Sequence, residues 1–163
     1  MIELKVKTLS VVASTPRFAH DDEKNAGADV FACENKIIWP KGKAIVLTRI
    51  CIEPVLKPFY PGKTPEWFKK FMVMNYKPAV FVKARSGLSL HYSLEHGAGV
   101  IDEGYRGEVR IILYNHGWWP YKIKTGDRIA QFVPQLLPMT EVVRVKQLSE
   151  SRRGQSGFGS SGS

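Results

Sequence analysis

At 163 residues the chain has the length of a single domain, enough to bury about 70% of the surface its unfolded form would expose. Its apolar content of 44% is ordinary for a globular protein, and no apolar run approaches the roughly 20 residues that span a bilayer as a helix. A net charge of +9 favours an anionic ligand, but the lysines and arginines are scattered along the sequence, which argues for a small anion over a specific nucleic-acid face.

Strand signals dominate from the start. Ile2, Leu4 and Val6 alternate with Glu3, Lys5 and Lys7, which is period two with one buried face. Lys36 to Trp39 leads into a turn at Pro40-Lys41-Gly42-Lys43, and Ala44 to Ile52 follows as an apolar, β-branched run. Further short strands are expected at Val80 to Val82, Val109 to Tyr114, Tyr121 to Ile123, Ile129 to Val133 and Val142 to Val145. Turns separate them at Asn115-His116-Gly117, Lys124 to Asp127 and Pro134 to Pro138. Many short strands at this spacing predict an all-β, jelly-roll-like barrel.

Two stretches depart from that pattern. Thr64 to Met72 predicts a helix capped by Thr64, with Pro65 in the first helical position and Glu66 at the positive end of the dipole; it is expected to pack against the barrel. Ser86 to Tyr92 predicts a second, shorter helix. Cys33 and Cys51 suit reduced core residues better than a disulfide, and the four histidines lack zinc-ligand spacing. The end of the chain, Arg153 to Ser163, is too glycine-rich to build structure alone, yet carries an arginine suited to a phosphate and, at Phe158, an aromatic ring suited to stacking.

Five segments, in order, resemble the trimeric dUTPase family. They are Ala26 to Val30, Ala84-Arg85-Ser86-Gly87-Leu88-Ser89, Gly99-Val100-Ile101-Asp102-Glu103-Gly104-Tyr105-Arg106-Gly107-Glu108-Val109, Gly126-Asp127-Arg128-Ile129-Ala130-Gln131, and the tail from Arg153 to Gly162. The resemblance spans nearly the whole chain apart from an insert at about 56–78, and it implies a dUTPase-like β-clip over 1–148 followed by a flexible arm over 149–163. It further implies hydrolysis of dUTP to dUMP and pyrophosphate by a Mg2+-dependent homotrimer, in a soluble cytoplasmic or nuclear protein with no membrane partner.

The resemblance also implies roles residue by residue. Asp102, in a turn that any aspartate would suit, becomes the base that takes a proton from the attacking water, with Gln131 beside it. Tyr105 lies on the deoxyribose, where its ring leaves no room for a 2′-hydroxyl. Main-chain groups from Gly97 through Gly99, Val100 and Ile101 read uracil, with glycine permitting close approach. Arg85, Ser86 and Gly87 take phosphate at a helix start. Asp29 meets the metal through water. From a neighbouring subunit's tail, Arg153 holds the γ-phosphate, Phe158 stacks on uracil, and Gly159, Ser160 and Ser161 donate to phosphates. Asp127 and Arg128 are expected to form a turn and a subunit-interface ion pair. Ser156, Ser161 and Gly104 depart from the usual family residues. Three alternatives stand beside the hydrolase: a nucleotide-switched binding module that exposes the insert, a deaminase on a related fold, and a nucleic-acid-binding β-barrel. The deaminase is disfavoured because Ile112 occupies the position of its water-activating glutamate.

Overall fold

The computed structural model describes residues 1–19, 25–57, 64–152 and 154. The strands are β1 (Ile2–Thr8), β2 (Arg17–Phe18), β3 (Ala28–Phe31), β4 (Lys36–Ile38), β5 (Lys43–Leu47), β6 (Ile50–Leu56), β7 (Tyr76–Lys83), β8 (Leu94–Gly97), β9 (Val100–Ile101), β10 (Arg110–Asn115), β11 (Tyr121–Ile123) and β12 (Arg128–Pro138). Two short helices, α1 (Glu66–Asn75) and α2 (Ser86–Tyr92), flank β7. The strands form antiparallel sheets: the pair β1-β6, the triplet β5-β10-β8, the pair β11-β4, and a five-stranded sheet in the order β2-β3-β12-β7-β9. The all-β, jelly-roll-like expectation holds, with several small sheets curled around one core rather than a single closed ladder.

That core draws on every larger sheet. Val30, Ile38, Val46, Ile50, Val80, Leu94, Ile111, Leu113, Ile123, Ile129 and Phe132 are all essentially inaccessible. In β6 and β10 the burial alternates residue by residue, which is the period-two pattern realised as one core face. β3 is buried throughout, because β2 and β12 flank it and both of its faces are covered.

Several expectations need correction. The run Ala44 to Ile52 is not one strand: Thr48 and Arg49 break it, with Arg49 in the left-handed region at φ 55°, and β5 and β6 join different sheets. Pro134 to Pro138 is no turn but the second half of β12, in register from Pro134 opposite Val80 to Pro138 opposite Tyr76. Pairing with β3 ends at Phe132, so beyond it β12 has a free side and proline's missing N–H breaks no ladder bond. Val142 to Val145 forms no strand; these residues are largely exposed, and among the described residues none pairs with them. Cys33 and Cys51 are free but half-buried rather than core residues, Cys51 standing opposite Lys7 on the outer face of β6.

α1 starts one residue later than expected, with Pro65 in the cap position. None of its residues is buried. Phe68 and Met72 line a shallow groove with Met1 and Leu56, while Trp67 is 71% exposed. The expected packing against the barrel is therefore marginal.

Phe132 is the largest side chain with no exposure at all, so Phe132→Ala should cost about 3–5 kcal/mol. Denaturant unfolding at fixed protein concentration checks this, and a loss under about 1 kcal/mol would mean the site collapses around the gap.

Candidate active site

A buried carboxylate organises one half of the site. Asp29 is 2% exposed and sits in β3 opposite Gln131 of β12, so the sheet register alone brings the two together. Its Oδ1 accepts hydrogen bonds from Arg85 Nε at 3.1 Å and Gln131 Nε2 at 3.3 Å, and its Oδ2 accepts one from Arg128 Nη1 at 3.3 Å. Arg85 also donates to the Arg128 carbonyl at 3.3 Å, which ties the end of β7 to the start of β12. A buried carboxylate is tolerable only when paired and hydrogen-bonded, and Asp29 is both. Within the chain, Arg128 is paired with Asp29. Asp127 does form the expected turn, accepting the Lys124 N–H at 2.7 Å.

Arg17, which the sequence reading missed, pairs across the sheet with Asp29 and holds its guanidinium 4.9 Å from the centre of the Phe31 ring. An open polar cleft runs past Arg17, Asp29 and Arg128. Three arginines around one buried carboxylate leave this face cationic, as a polyphosphate requires. Arg85 caps α2 from an extended conformation, with no side-chain cap bond. A Cβ on Gly87 would meet nothing within 4 Å, so within this chain that glycine faces open space.

The other half of the site is the turn after β9. Asp102 is exposed, and its main-chain carbonyl accepts the Tyr105 N–H at 3.1 Å, closing a tight turn. Asp102, Tyr105, Val100 and Ile101 line one shallow pocket together with Glu108 and Arg110. The Tyr105 hydroxyl donates to the Glu108 carbonyl at 2.9 Å, and its ring folds over Gly107, where a Cβ would stand 2.6 Å from the hydroxyl oxygen. Only glycine at 107 allows that ring position.

Residues outside the expected set hold this turn. The Glu108 carboxylate, 8% exposed, accepts the Arg49 N–H at 3.1 Å and lies 3.4 Å from Arg110. The Thr48 hydroxyl donates to the Val109 carbonyl. Arg106 donates to the Glu103 and Tyr105 carbonyls and to Glu53 at 3.0 Å. The Lys5 hydrogen bond, helped by Arg106, holds the Glu53 carboxyl below the usual carboxylate range. Their sequence signal was faint, resting only on the Tyr105-Arg106-Gly107-Glu108 run itself.

Gly97 and Gly99 are closely packed on their side-chain side. A Cβ on Gly97 would lie 2.7 Å from the Tyr114 ring, and one on Gly99 would lie 3.1 Å from both His96 Nε2 and the Val82 carbonyl. The room these glycines create is filled by the protein's own groups, not kept open. Arg153, Phe158, Gly159, Ser160 and Ser161 lie outside the described residues. Among the described residues no group of three or more His, Cys, Asp or Glu gathers as a metal site.

The two halves stand apart. Asp102 follows Ile101, which pairs with Val80, so it falls level with Ala79 of β7 and hence with Gln135 of β12. Gln131 is four residues up β12 and two strands over, a separation of about 16 Å. One chain does not bring Asp102 and Gln131 onto the same phosphorus.

A family model described as dUTPase matches residues 69–162. A deoxyuridine 5′-triphosphate nucleotidohydrolase of Clostridium tetani is 39% identical over 161 residues, 98% of this chain and 96% of its own length. One from Clostridioides difficile is 38% identical, covering 99% of both. Among solved structures, a Staphylococcus bacteriophage 80alpha dUTPase mutant with dUpNHpp superposes with a TM-score of 0.78 at 27% identity, covering 99% of both chains. A dUTPase from Staphylococcus aureus phage phi11, described with a structural Mg(II) ion, gives 0.70 at 23% identity, covering 91% of this chain and 99% of its own; that likeness speaks for the fold alone.

Asp29→Asn keeps the volume but turns an acceptor into a donor that faces two guanidiniums. We expect a stability loss of about 3 kcal/mol by chemical denaturation, the low end for a broken buried pair because the arginines reach solvent. No measurable loss would mean the cluster contributes little to holding β3, β7 and β12 together.

Proposed function

The chain belongs to the dUTPase family, and from that premise we propose that its active sites are shared between the subunits of a homotrimer, with Asp102 of one chain acting on a triphosphate held by the arginines of another. The protein is a dUTP diphosphatase, an enzyme that hydrolyses dUTP. What supports the shared site is the separation of about 16 Å between Asp102 and Gln131 along the sheet, too far for both to serve one reacting phosphorus within a chain.

The chemistry then divides by element. Asp102, exposed at the turn, takes a proton from water as the water oxygen bonds to the α-phosphorus. The bond from that phosphorus to the bridging oxygen breaks, pyrophosphate leaves, and the proton passes from Asp102 to solvent. Arg85 and Arg128, held in place by Asp29, bear on the phosphate chain together with Arg17, which lies over the Phe31 ring. Gln131, also anchored on Asp29, orients the water or the α-phosphate oxygens. Ser86 and Gly87 offer main-chain N–H groups at the start of α2.

Uracil is read by the backbone from Gly97 through Gly99, Val100 and Ile101. Cytosine, with its donor and acceptor pattern reversed, would leave buried groups unpaired. Tyr105, fixed by its bond to the Glu108 carbonyl, packs on the deoxyribose and excludes a 2′-hydroxyl. The dUpNHpp in the phage 80alpha structure supports a uridine triphosphate as the ligand class.

Mg2+ neutralises charge on the triphosphate when bound. The Asp29 carboxylate already accepts three of the roughly four bonds it can take, which leaves one position that a water of a hydrated ion would fill. The body is residues 1–148, and 149–163 form the arm that closes over a neighbour's site, with Arg153 on the γ-phosphate, Phe158 on uracil and Gly159, Ser160 and Ser161 on the phosphates. A deaminase reading is not favoured: Ile112 is a cross-strand partner of Gly97 and moves no proton.

Asp102→Asn should lower kcat by about 100- to 10,000-fold while binding of a non-hydrolysable dUTP analogue stays near the parent value. Retained turnover would remove Asp102 as the base. Asp102→Asn and Gln131→Ala subunits, each inactive as pure trimers, should regain activity when unfolded and refolded together, because mixed trimers contain one intact site; no recovery would mean the two residues serve the same subunit's site. A chain ending at Arg152 should keep its melting temperature and lose most of its turnover, and unchanged turnover would rule out the arm as a lid.

A further inference from the structure

The ring of Tyr105 is 46% exposed, and what backs it is main chain rather than other side chains. A Cβ on Gly107 would stand 2.8 Å from its Cζ and 3.1 Å from its Cε2, so the ring lies directly against the chain there. Its hydroxyl is fastened to the next carbonyl, that of Glu108. The wall behind the ring is therefore the segment 107–109, and the ring yields only if that segment yields.

The segment is held by residues far away in sequence, at the break between β5 and β6. Thr48 is fully buried, and its hydroxyl donates to the Val109 carbonyl. The Val109 N–H donates to the Ile50 carbonyl at 2.8 Å. Between these two bonds, the Arg49 N–H donates to the Glu108 carboxylate, whose other oxygen lies 3.7 Å from the Arg49 guanidinium and 3.4 Å from that of Arg110. Arg49 takes φ 55°, which an arginine adopts only at a steric cost, and such a cost persists only where the surroundings impose it. The Arg49 carbonyl accepts the Leu9 N–H at 2.8 Å, which ties the break to the end of β1. The Arg49 guanidinium itself is half exposed and contributes little; its main-chain N–H and the Thr48 hydroxyl carry the brace.

We propose that Thr48 and Glu108 are positioning residues for sugar selection: they fix the main chain on which Tyr105 leans, and so set how strongly the site rejects a ribonucleoside triphosphate. The inference rests on the placement of Tyr105 against the deoxyribose. A ring that excludes a 2′-hydroxyl by contact does so only as far as moving the ring costs free energy. A hydroxyl arriving on the open face pushes the ring toward Gly107, and the resistance comes from the chain behind it. Thr48 has no accessible surface with which to touch a nucleotide, and the Glu108 carboxylate is engaged by Arg49 and Arg110. Their effect on the sugar passes through Tyr105.

The test compares kcat/KM for dUTP and for UTP, by pyrophosphate release from the full-length protein, with the melting temperature of each variant. Thr48→Val keeps the shape and leaves the buried Val109 carbonyl without its donor. Glu108→Gln keeps an acceptor for the Arg49 N–H but removes the charge that faces two guanidiniums. Each should lower the dUTP-to-UTP ratio by roughly tenfold, chiefly by raising the UTP value. Thr48→Ser, which restores a hydroxyl, should restore the ratio, and Tyr105→Ala should lower it at least as far as Thr48→Val. A ratio that falls in Tyr105→Ala but not in Thr48→Val or Glu108→Gln overturns the inference and leaves the sugar-facing role of Tyr105 standing. A ratio unchanged in Tyr105→Ala overturns that role and the inference with it. Equal losses on both nucleotides, or a lower melting temperature at the parent ratio, would make Thr48 and Glu108 supports of the fold and nothing more.

Discussion

A carboxylate buried among strands is stable only while cationic or amide donors surround it, and in this protein that constraint fixes the geometry of the phosphate-facing side. Asp29 is held from three directions by Arg85, Arg128 and Gln131, which enter from the end of β7 and from two positions on β12. None of these side chains reaches its place by local preference. The antiparallel register sets Gln131 opposite Asp29, and the bond from Arg85 to the Arg128 carbonyl fixes the remaining angle. Removing the shared acceptor would free all three at once, so Asp29 acts on the substrate side through the groups it positions.

The turn that carries Asp102 is built on a different principle. It is exposed, and its shape depends on contacts made behind it. Glu108 grips Arg49 and Arg110, Thr48 holds the Val109 carbonyl, and Arg106 laces the turn to Glu53. Tyr105 can then lie across Gly107 with its hydroxyl satisfied. An exposed aspartate on a braced turn suits a base that must meet water. A buried one, like Asp29, suits holding other side chains in place. The two carboxylates differ in environment, and their proposed roles follow from it.

Much of this was legible in the sequence, for identifiable reasons. Period-two alternation exposed β1, apolar and β-branched runs marked parts of β5, β6 and β10, and the ordered motifs pointed to the family and to the site regions. Boundaries failed where tertiary context overrides local rules. Pro134 reads as a turn former, yet it sits in β12 because one side of that strand has no partner after Phe132. Val142 to Val145 reads as a strand, but a strand needs a neighbour and the described residues supply none. Arg17 and Glu108 escaped notice because neither lies in a recognisable spacing with Asp29 or Tyr105. Their roles arise from cross-strand register and from burial, which no single segment encodes.

The glycines near the base-reading strand show how specificity can be stored without recognisable side chains. At Gly97 and Gly99, Tyr114 and His96 occupy the space that a side chain would take. A Cβ at either position would push against an aromatic ring or, at Gly99, against the Val82 carbonyl as well, and Val82 donates its own N–H to the Gly99 carbonyl at 2.8 Å. The backbone proposed to read the base is thus clamped from behind by packing and by a main-chain bond. A hydrogen-bonding edge discriminates between bases only as far as it resists moving to suit the wrong one. Here that resistance would reside in the ring of Tyr114, the imidazole of His96 and the β7–β9 ladder, so a base preference exerted by this backbone would belong to the sheet as much as to the groups that touch the base.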